Sequence, residues 1–341
     1  MKRSDQKEKS PVKRLLGSPP KKRSSTAQLE REDVLWAYRL FLDREPDTEE
    51  DIQRNLDAWS SRADLRRGFM SSPEFRDKNP GDLAYTPETT LVIKEIAPGL
   101  RLYLDLSDVA IGLNVARGRY EPSEIAYARS VVGRGDFVLD VGANIGFFAL
   151  HLASMVGPTG HVYAYEPLDQ NAALLEMSVR ENGLEERVTI YRHAVGAEPG
   201  EAEIVFLSLE DGAQNSGGAY LSTASRDVPT YHRLLRTRVV PLDSETFACP
   251  IRFIKIDVEG AESLVFRGAR RLLSEDRPVI LSEINPGQIR KVAASTPREM
   301  ISEMEAIGYE CVLLENGRPG RAVRDVPGDR VRSVVFRPRA T

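Results

Sequence analysis

The chain has 341 residues, 41% of them hydrophobic and 29% charged, which is the make-up of a globular protein of about two domains. This excludes a collagen, a wholly disordered chain and a small disulfide scaffold. The two cysteines, Cys249 and Cys311, fit a reducing cytoplasm better than a disulfide framework. No run of about 18 apolar residues is available to span a bilayer, and the first residues lack the apolar stretch of a signal peptide.

The net charge of −4 is unevenly spread. Residues 1–26 hold nine Lys or Arg against two acids, so this segment is +7 and the remainder −11. It is rich in Ser and Pro and poor in apolar residues, so it cannot bury enough surface to fold. Residues 1–29 therefore read as a disordered basic tail. A solvated tail is the simpler reading, and peripheral contact with anionic lipid or nucleic acid is the functional one. The run Pro19-Pro20-Lys21-Lys22-Arg23 is too short to carry a nuclear-targeting reading.

Residues 30–80 read as a helical module. Val34, Tyr38, Phe41 and Leu42 recur at helical spacing. Pro46 and Asp47 stop that helix, and Asp47-Thr48-Glu49-Glu50 caps the next. Trp59, Leu65, Phe69 and Phe75 supply the buried faces, and Asn79-Pro80-Gly81-Asp82 is a turn at the boundary with 81–341. The segments Tyr38 to Asp47 and Ser72-Pro73-Glu74-Phe75 resemble a small helical domain of unknown function, which in bacteria often sits beside glycan-modifying enzymes. For its own residues an accessory packing role is the expectation.

Beyond residue 90 the pattern changes. Leu91 to Ile96 and Leu100 to Leu106 bracket Pro98-Gly99 as a hairpin. Pro122 to Val132 reads as a helix. Apolar strands at Phe137 to Val141, His161 to Tyr165, Val188 to His193, Ile251 to Ile256 and Val279 to Glu283 then follow in order. Helices are expected over Ile145 to Val156, Leu168 to Asn182, Glu259 to Leu273 and Pro297 to Ile307, with final strands at Tyr309 to Leu314 and Arg332 to Phe336. Alternating strands and helices imply a mainly parallel sheet covered on both faces, with ligands outside the carboxyl ends of the strands.

The first such end is Asp140-Val141-Gly142-Ala143-Asn144-Ile145-Gly146. A dinucleotide fingerprint needs glycine at 144 and 147, which are Asn and Phe, and no Walker lysine follows. Asp140 would repel a pyrophosphate and attract a cation. S-adenosylmethionine fits: it is a sulfonium with an amine and a carboxylate, and the helix opening at Ile145 offers free N–H groups to that carboxylate. Asn144 suits a left-handed turn. Glu166 ends the second strand, 20 residues after Gly146, the spacing at which an acid receives a ribose diol. His193 and Ala194 end the third, where a loop would cover the adenine.

These residues resemble the FkbM family of S-adenosylmethionine-dependent methyltransferases. The motifs are Arg119-Tyr120-Glu121-Pro122, Leu139 to Gly146, Ala164-Tyr165-Glu166-Pro167, Lys255-Ile256-Asp257-Val258-Glu259-Gly260-Ala261-Glu262 and Leu281-Ser282-Glu283-Ile284, spread over about residues 90–338. The resemblance implies an α/β class I methyltransferase fold, Rossmann-like, with a seven-stranded, mainly parallel sheet whose last strand is antiparallel. It implies methyl transfer to a hydroxyl oxygen, often of a sugar or polyketide. Asp140, Gly142, Ala143, Asn144, Gly146, Glu166 and Pro167 would hold the cofactor. Glu121 would reach its methionine end or merely cap a helix.

Methyl transfer needs alignment and a base at the fourth strand end. Asp257 and Glu259 are the candidates, Asp257 also as a cofactor contact, while Glu259 and Glu262 could serve only the helix dipole. Asp257, Glu283 and Asn285 present oxygen atoms suited to Mg²⁺, but such sets are common without metal, so Mg²⁺ is not favoured and zinc is unsupported. Of the four histidines, His151, His161, His193 and His232, only His193 sits at a strand end. Asn215 and Ser216, in the Gly-rich stretch Gln214 to Leu221, could bind a sugar hydroxyl or lie on a surface loop. The expected partner is a small-molecule or glycan acceptor, with no nucleic acid. A nicotinamide oxidoreductase is opposed by residues 144 and 147, and a non-catalytic scaffold by the intact acids.

Overall fold

The computed structural model describes residues 29–42, 44–70, 72–78, 91–106, 108, 111–118, 120–208, 214–222 and 232–339. The basic segment 1–26, the turn at 79–82 and Arg119 lie outside these. The chain divides into two compact units, the first ending at Phe75 and the second beginning at Arg76.

The described part of the first unit is helical: α1 (Arg31–Leu42), α2 (Glu49–Ala58), α3 (Arg62–Met70) and the start of α4 (Pro73–Lys78), which runs across the division. Thr48 caps α2 in a reciprocal capping box with Asp51, satisfying two otherwise orphaned backbone donors. Tyr38 meets Phe69 edge-on at 4.8 Å, and Phe41 meets Phe75 at 6.4 Å. Arg44 donates to Glu74 at 2.6 Å and ties α4 back to the end of α1. Trp59 is half-buried and lies over Gly68, where a Cβ would strike its ring.

The second unit opens with the hairpin β1 (Leu91–Ala97) and β2 (Leu100–Asp105). Helices α5 (Gly112–Ala116) and α6 (Pro122–Val131) follow. The core then runs β3 (Phe137–Val141), α7 (Phe147–Val156), β4 (His161–Tyr165), α8 (Asp169–Glu181) and β5 (Val188–Tyr191). An insertion, β6 (Ala194–Val195), β7 (Gly200–Ser208), β8 (Gln214–Ser222) and β9 (His232–Val240), makes its own sheet in the order β6-β9-β7-β8. The core resumes with β10 (Ile251–Ile256), α9 (Glu262–Arg267), α10 (Arg270–Glu275), β11 (Val279–Ile284), α11 (Pro286–Val292), α12 (Pro297–Ala306), β12 (Tyr309–Glu315), β13 (Arg318–Ala322) and β14 (Arg332–Pro338).

The main sheet has the order β13-β12-β14-β11-β10-β3-β4-β5. β14 runs antiparallel to both β11 and β12. The expected seven strands are all present, but the described sheet has eight: β13 adds an edge by a hairpin at Asn316-Gly317, with φ of 51° and 75°. Asn-Gly is the residue pair that such a two-residue turn favours. The central strands are buried on both faces, which is why they read as near-continuous apolar runs.

Three expectations need correction. The helix expected over 259–273 starts only at Glu262, because Glu259 and Gly260 take left-handed φ of 49° and 100°, and it breaks into α9 and α10 at Gly268, which packs against the Gly196 carbonyl with no room for a Cβ. The strand expected to reach His193 ends at Tyr191, and Ala194–Val195 pairs instead with β9. The stretch 214–222 is a strand of the inserted sheet, not a loop.

Candidate functional site

Strand order reverses between β3 and β10, because the chain passes from β3 through β4 and β5 before returning to β10. A cleft opens at the carboxyl ends of these strands, as expected for such a switch point. Its volume is about 880 Å³, including the space at its open mouth. Five loops converge on it, at 120–121, 141–145, 165–168, 193–195 and 257–259, and Ile204, Ala219, Tyr220 and Leu221 of the inserted sheet form a further wall.

The loop after β3 is shaped by close approach. Gly142 has φ 86°, and a Cβ there would collide with the Asp257 carbonyl. Asn144 takes the left-handed region, φ 51°, and its Oδ1 accepts from the Ile145 N–H at 2.8 Å. Gly146 precedes α7 at φ 94°, with no side-chain cap on the helix. The first N–H groups of α7 have no partner within the helix, and Phe147 and Phe148 line the cleft there.

Gly142, Ala143, Asn144, Pro167, His193 and Ala194 all line the cleft, as do Glu121, Glu166, Asp257 and Glu259. Gly146 and Asp140 do not. Gly146 is a packing residue: its missing Cβ leaves room for Leu175 of α8. Asp140 lies beneath the loop, fully buried, with neither carboxylate oxygen hydrogen-bonded among the described residues. Burial pushes its pKa up to about 7.

Glu166 is 4% exposed. Its Oε2 accepts from the Asn144 N–H and its Oε1 from the Leu168 N–H, both at 2.8 Å. It therefore fastens the two loops together. Lone pairs are left over for a ligand, because an ionised carboxylate has about four acceptor sites. Burial raises its pKa to about 7, against those backbone donors. The ring of His193 meets Tyr165 at 5.5 Å, and Tyr165 stacks on Tyr191 at 4.8 Å. The Tyr165 hydroxyl is buried without a partner among the described residues.

Lys255 is the centre of the charge arrangement. It is 4% exposed, and in register it faces Asp140 on the neighbouring strand. Its Nζ donates to Glu121 Oε1 at 3.0 Å and to Asp257 Oδ2 at 3.1 Å, and lies 5.0 Å from the Phe148 ring centroid. Burial works to lower its pKa, but Asp257, Glu121 and Asp140 outweigh burial and hold the ammonium firmly charged. Glu121 occupies the N-cap of α6 at φ 46° without capping it, so its carboxylate serves Lys255 instead.

Further carboxyls crowd this centre. Burial, with Asp257 close by, raises Glu259 to about 9 and Glu283 to about 8. Glu259 sits at φ 49°. Burial lifts Glu262 to about 7 even though it accepts from the Gly260 N–H at 3.1 Å, so Glu262 anchors the 257–261 loop rather than only facing a dipole. Left-handed φ at Glu121, Asn144 and Glu259 is backbone strain of a kind that gathers at functional sites. The sequence reading missed Lys255 and Tyr120. A lysine near the end of a mostly apolar strand, on the strand that neighbours Asp140, was the available signal.

The remaining candidates fall elsewhere. Asn285 caps α11, accepting from Gln288 N–H at 3.3 Å, which occupies one oxygen of the Mg²⁺ set. No group of three or more His, Cys, Asp or Glu among the described residues is arranged to hold a metal ion. Asn215 lies on β8, paired with Leu207. The side chains of Asn215 and Ser216 lie outside the described residues, and the lining residues of that strand are further along, at 219–221.

A cleft with several buried carboxyls around one ammonium is short of positive charge and suits a cationic ligand. The uncapped start of α7 suits a carboxylate on the same ligand. S-adenosylmethionine meets both conditions. Gly142 to Asn144, Glu121 and Asp257 would hold its methionine end, with Glu166, Pro167, His193 and Ala194 at its nucleoside end.

The chain is similar to solved structures of an FkbM methyltransferase from Methylobacillus flagellatus KT (19% identity, 66% of this chain and 52% of that one, TM-score 0.36) and an S-adenosylmethionine-dependent O-methyltransferase from Thermotoga maritima (18%, 64% and 66%, 0.35). It is also similar to an Aeropyrum pernix fibrillarin holding S-adenosylmethionine (16%, 63% and 73%, 0.36). Residues 140–311, half of the chain, match the family model of the methyltransferase FkbM domain. With that match over half of its length, taking in the loops at 141–145, 165–168, 193–195 and 257–259, the chain belongs to the FkbM methyltransferase family and is an S-adenosylmethionine-dependent methyltransferase.

Proposed function

We propose that the protein methylates a hydroxyl oxygen of a sugar-containing, polysaccharide or natural-product acceptor, with Asp257 as the base. The observation that carries this reading is the placement of Asp257. Its carbonyl packs on the cofactor turn at Gly142, and the residue lines the cleft beside the inserted-sheet wall. It can therefore meet cofactor and acceptor together. S-adenosylmethionine supplies a methyl group activated on a sulfonium. With that group bound, the acceptor oxygen would displace the sulfide at the methyl carbon, and Asp257 would take the hydroxyl proton. Lys255 fixes the Asp257 carboxylate by its hydrogen bond. Glu259, with its pKa near 9, keeps its proton at neutral pH and acts as a donor to the acceptor rather than as a second base.

In this reading residues 30–80 are an accessory module and 81–341 the methyltransferase domain, in a cytoplasmic protein with no nucleic-acid partner. No helix of the described residues is long and apolar enough to cross a membrane. The test is transfer of labelled methyl groups to a panel of glycans and hydroxylated natural products. At saturating S-adenosylmethionine, Asp257→Asn should lower transfer by about 10²- to 10⁴-fold, the usual worth of a general base, over and above any loss of cofactor affinity. Unchanged transfer in Asp257→Asn would remove Asp257 from this role.

A further inference from the structure

The half of the cleft beyond the cofactor loops has an uneven lining. Ile204, Ala219 and Leu221 make an apolar wall, and Tyr220 is its aromatic member. Tyr220 and Val258 pack against the same apolar cluster, and Tyr220 shares the cleft lining with Asp257 and Glu259. Lys291 of α11 sets its ammonium 3.8 Å from the Tyr220 ring centroid. The neighbouring Arg290 is occupied by Asp329 at 2.9 Å, and Lys255 is occupied by Glu121 and Asp257. Lys291 is exposed, and among the described residues no carboxylate lies within ion-pair distance of it.

An ammonium over a ring gains a modest attraction and keeps its remaining donors for a partner. The carboxyls deep in the cleft suit a cation, whereas the exposed ammonium beside the Tyr220 ring suits an anion. We propose that Tyr220 and Lys291 form an acceptor subsite for a ring that carries a carboxylate or phosphate. The ring packs along the wall at Tyr220, and its anionic group meets Lys291. This rests on the acceptor reading above and narrows it to an anionic acceptor. The two charged groups share one chemistry, a compact oxyanion that an ammonium recognises.

The test uses the full chain saturated with S-adenosylhomocysteine, titrated with glucuronate, glucose 1-phosphate and glucose while backbone and Tyr220 resonances are followed. At least one anionic sugar should bind about fivefold or more tightly than glucose, shifting signals at 219–221. The arm that binds better distinguishes carboxylate from phosphate. Lys291→Glu should abolish the preference, with glucose as the internal reference, and Tyr220→Leu should weaken all three sugars. Equal binding of charged and neutral sugars, no binding of any sugar, or a preference that survives Lys291→Glu would overturn the proposal. Failure of the wild-type protein to bind S-adenosylhomocysteine would instead count against the cofactor site itself.

Discussion

Gly142 and Lys255 hold the site together from opposite sides. At Gly142 both φ, 86°, and the Asp257 carbonyl forbid a side chain. Gly142→Ala should cost at least about 1–3 kcal/mol from backbone strain alone and push the 257–259 loop outward, read as a fall in thermal midpoint with weakened cofactor binding. At Lys255 the ammonium compensates two carboxylates in the interior. Lys255→Met leaves them buried and unpaired, an effect of about 3–5 kcal/mol, measurable by chemical denaturation. A loss under 1 kcal/mol would show that Glu121 and Asp257 find water or protons instead. The glycine could be read in the sequence because few residues tolerate a strand-to-helix turn of this kind. Glu166 was legible as the acid that follows the second core strand, but its two backbone partners were not, since they depend on how two loops meet.

The Asp257–Ala261 loop and the inserted sheet are the elements that complete the cleft. Glu262 accepts from the Gly260 N–H at 3.1 Å and, more weakly, the Val258 N–H at 3.4 Å. Glu262→Ala should free both donors, at about 1–3 kcal/mol for buried groups left unsatisfied. Hydrogen exchange at 258–261 should then accelerate while the central strands stay protected, and unchanged exchange would show that Glu262 does not anchor the loop. The core strands and helices were legible because their apolar periods are strong and their caps local. The inserted sheet was not. Its strand 214–222 is Gly- and Ser-rich and is a strand only through its pairing with β7. The close approach at Gly268 was hidden for the same reason, since it is made by a carbonyl at Gly196, distant in sequence.

For the whole molecule the excess of buried carboxyls sets a pH dependence. Asp140, Glu166 and Glu262 near 7, Glu283 near 8 and Glu259 near 9 all lie above their unfolded values near 4. The folded state therefore holds protons that the unfolded chain has released. Their contribution to stability is fully present below pH 4 and is lost as pH rises through the folded values. From these groups alone, the thermal midpoint of the ligand-free protein should fall between pH 6 and 9. A midpoint that rises over that range would mean the carboxyls are ionised and paired in the free protein.

A cationic cofactor should reverse that trend, because it favours the ionised carboxylates. The most direct test is calorimetric titration of the full chain with S-adenosylmethionine at pH 6 and 7.5, in two buffers of different ionisation enthalpy, with NAD as control. Binding should be tighter at pH 7.5, up to about tenfold per pH unit for each proton released, with heat that depends on the buffer and no response to NAD. A folded protein that ignores S-adenosylmethionine, or binds it with uptake of protons and weaker affinity at pH 7.5, would contradict a cofactor site built on these carboxyls.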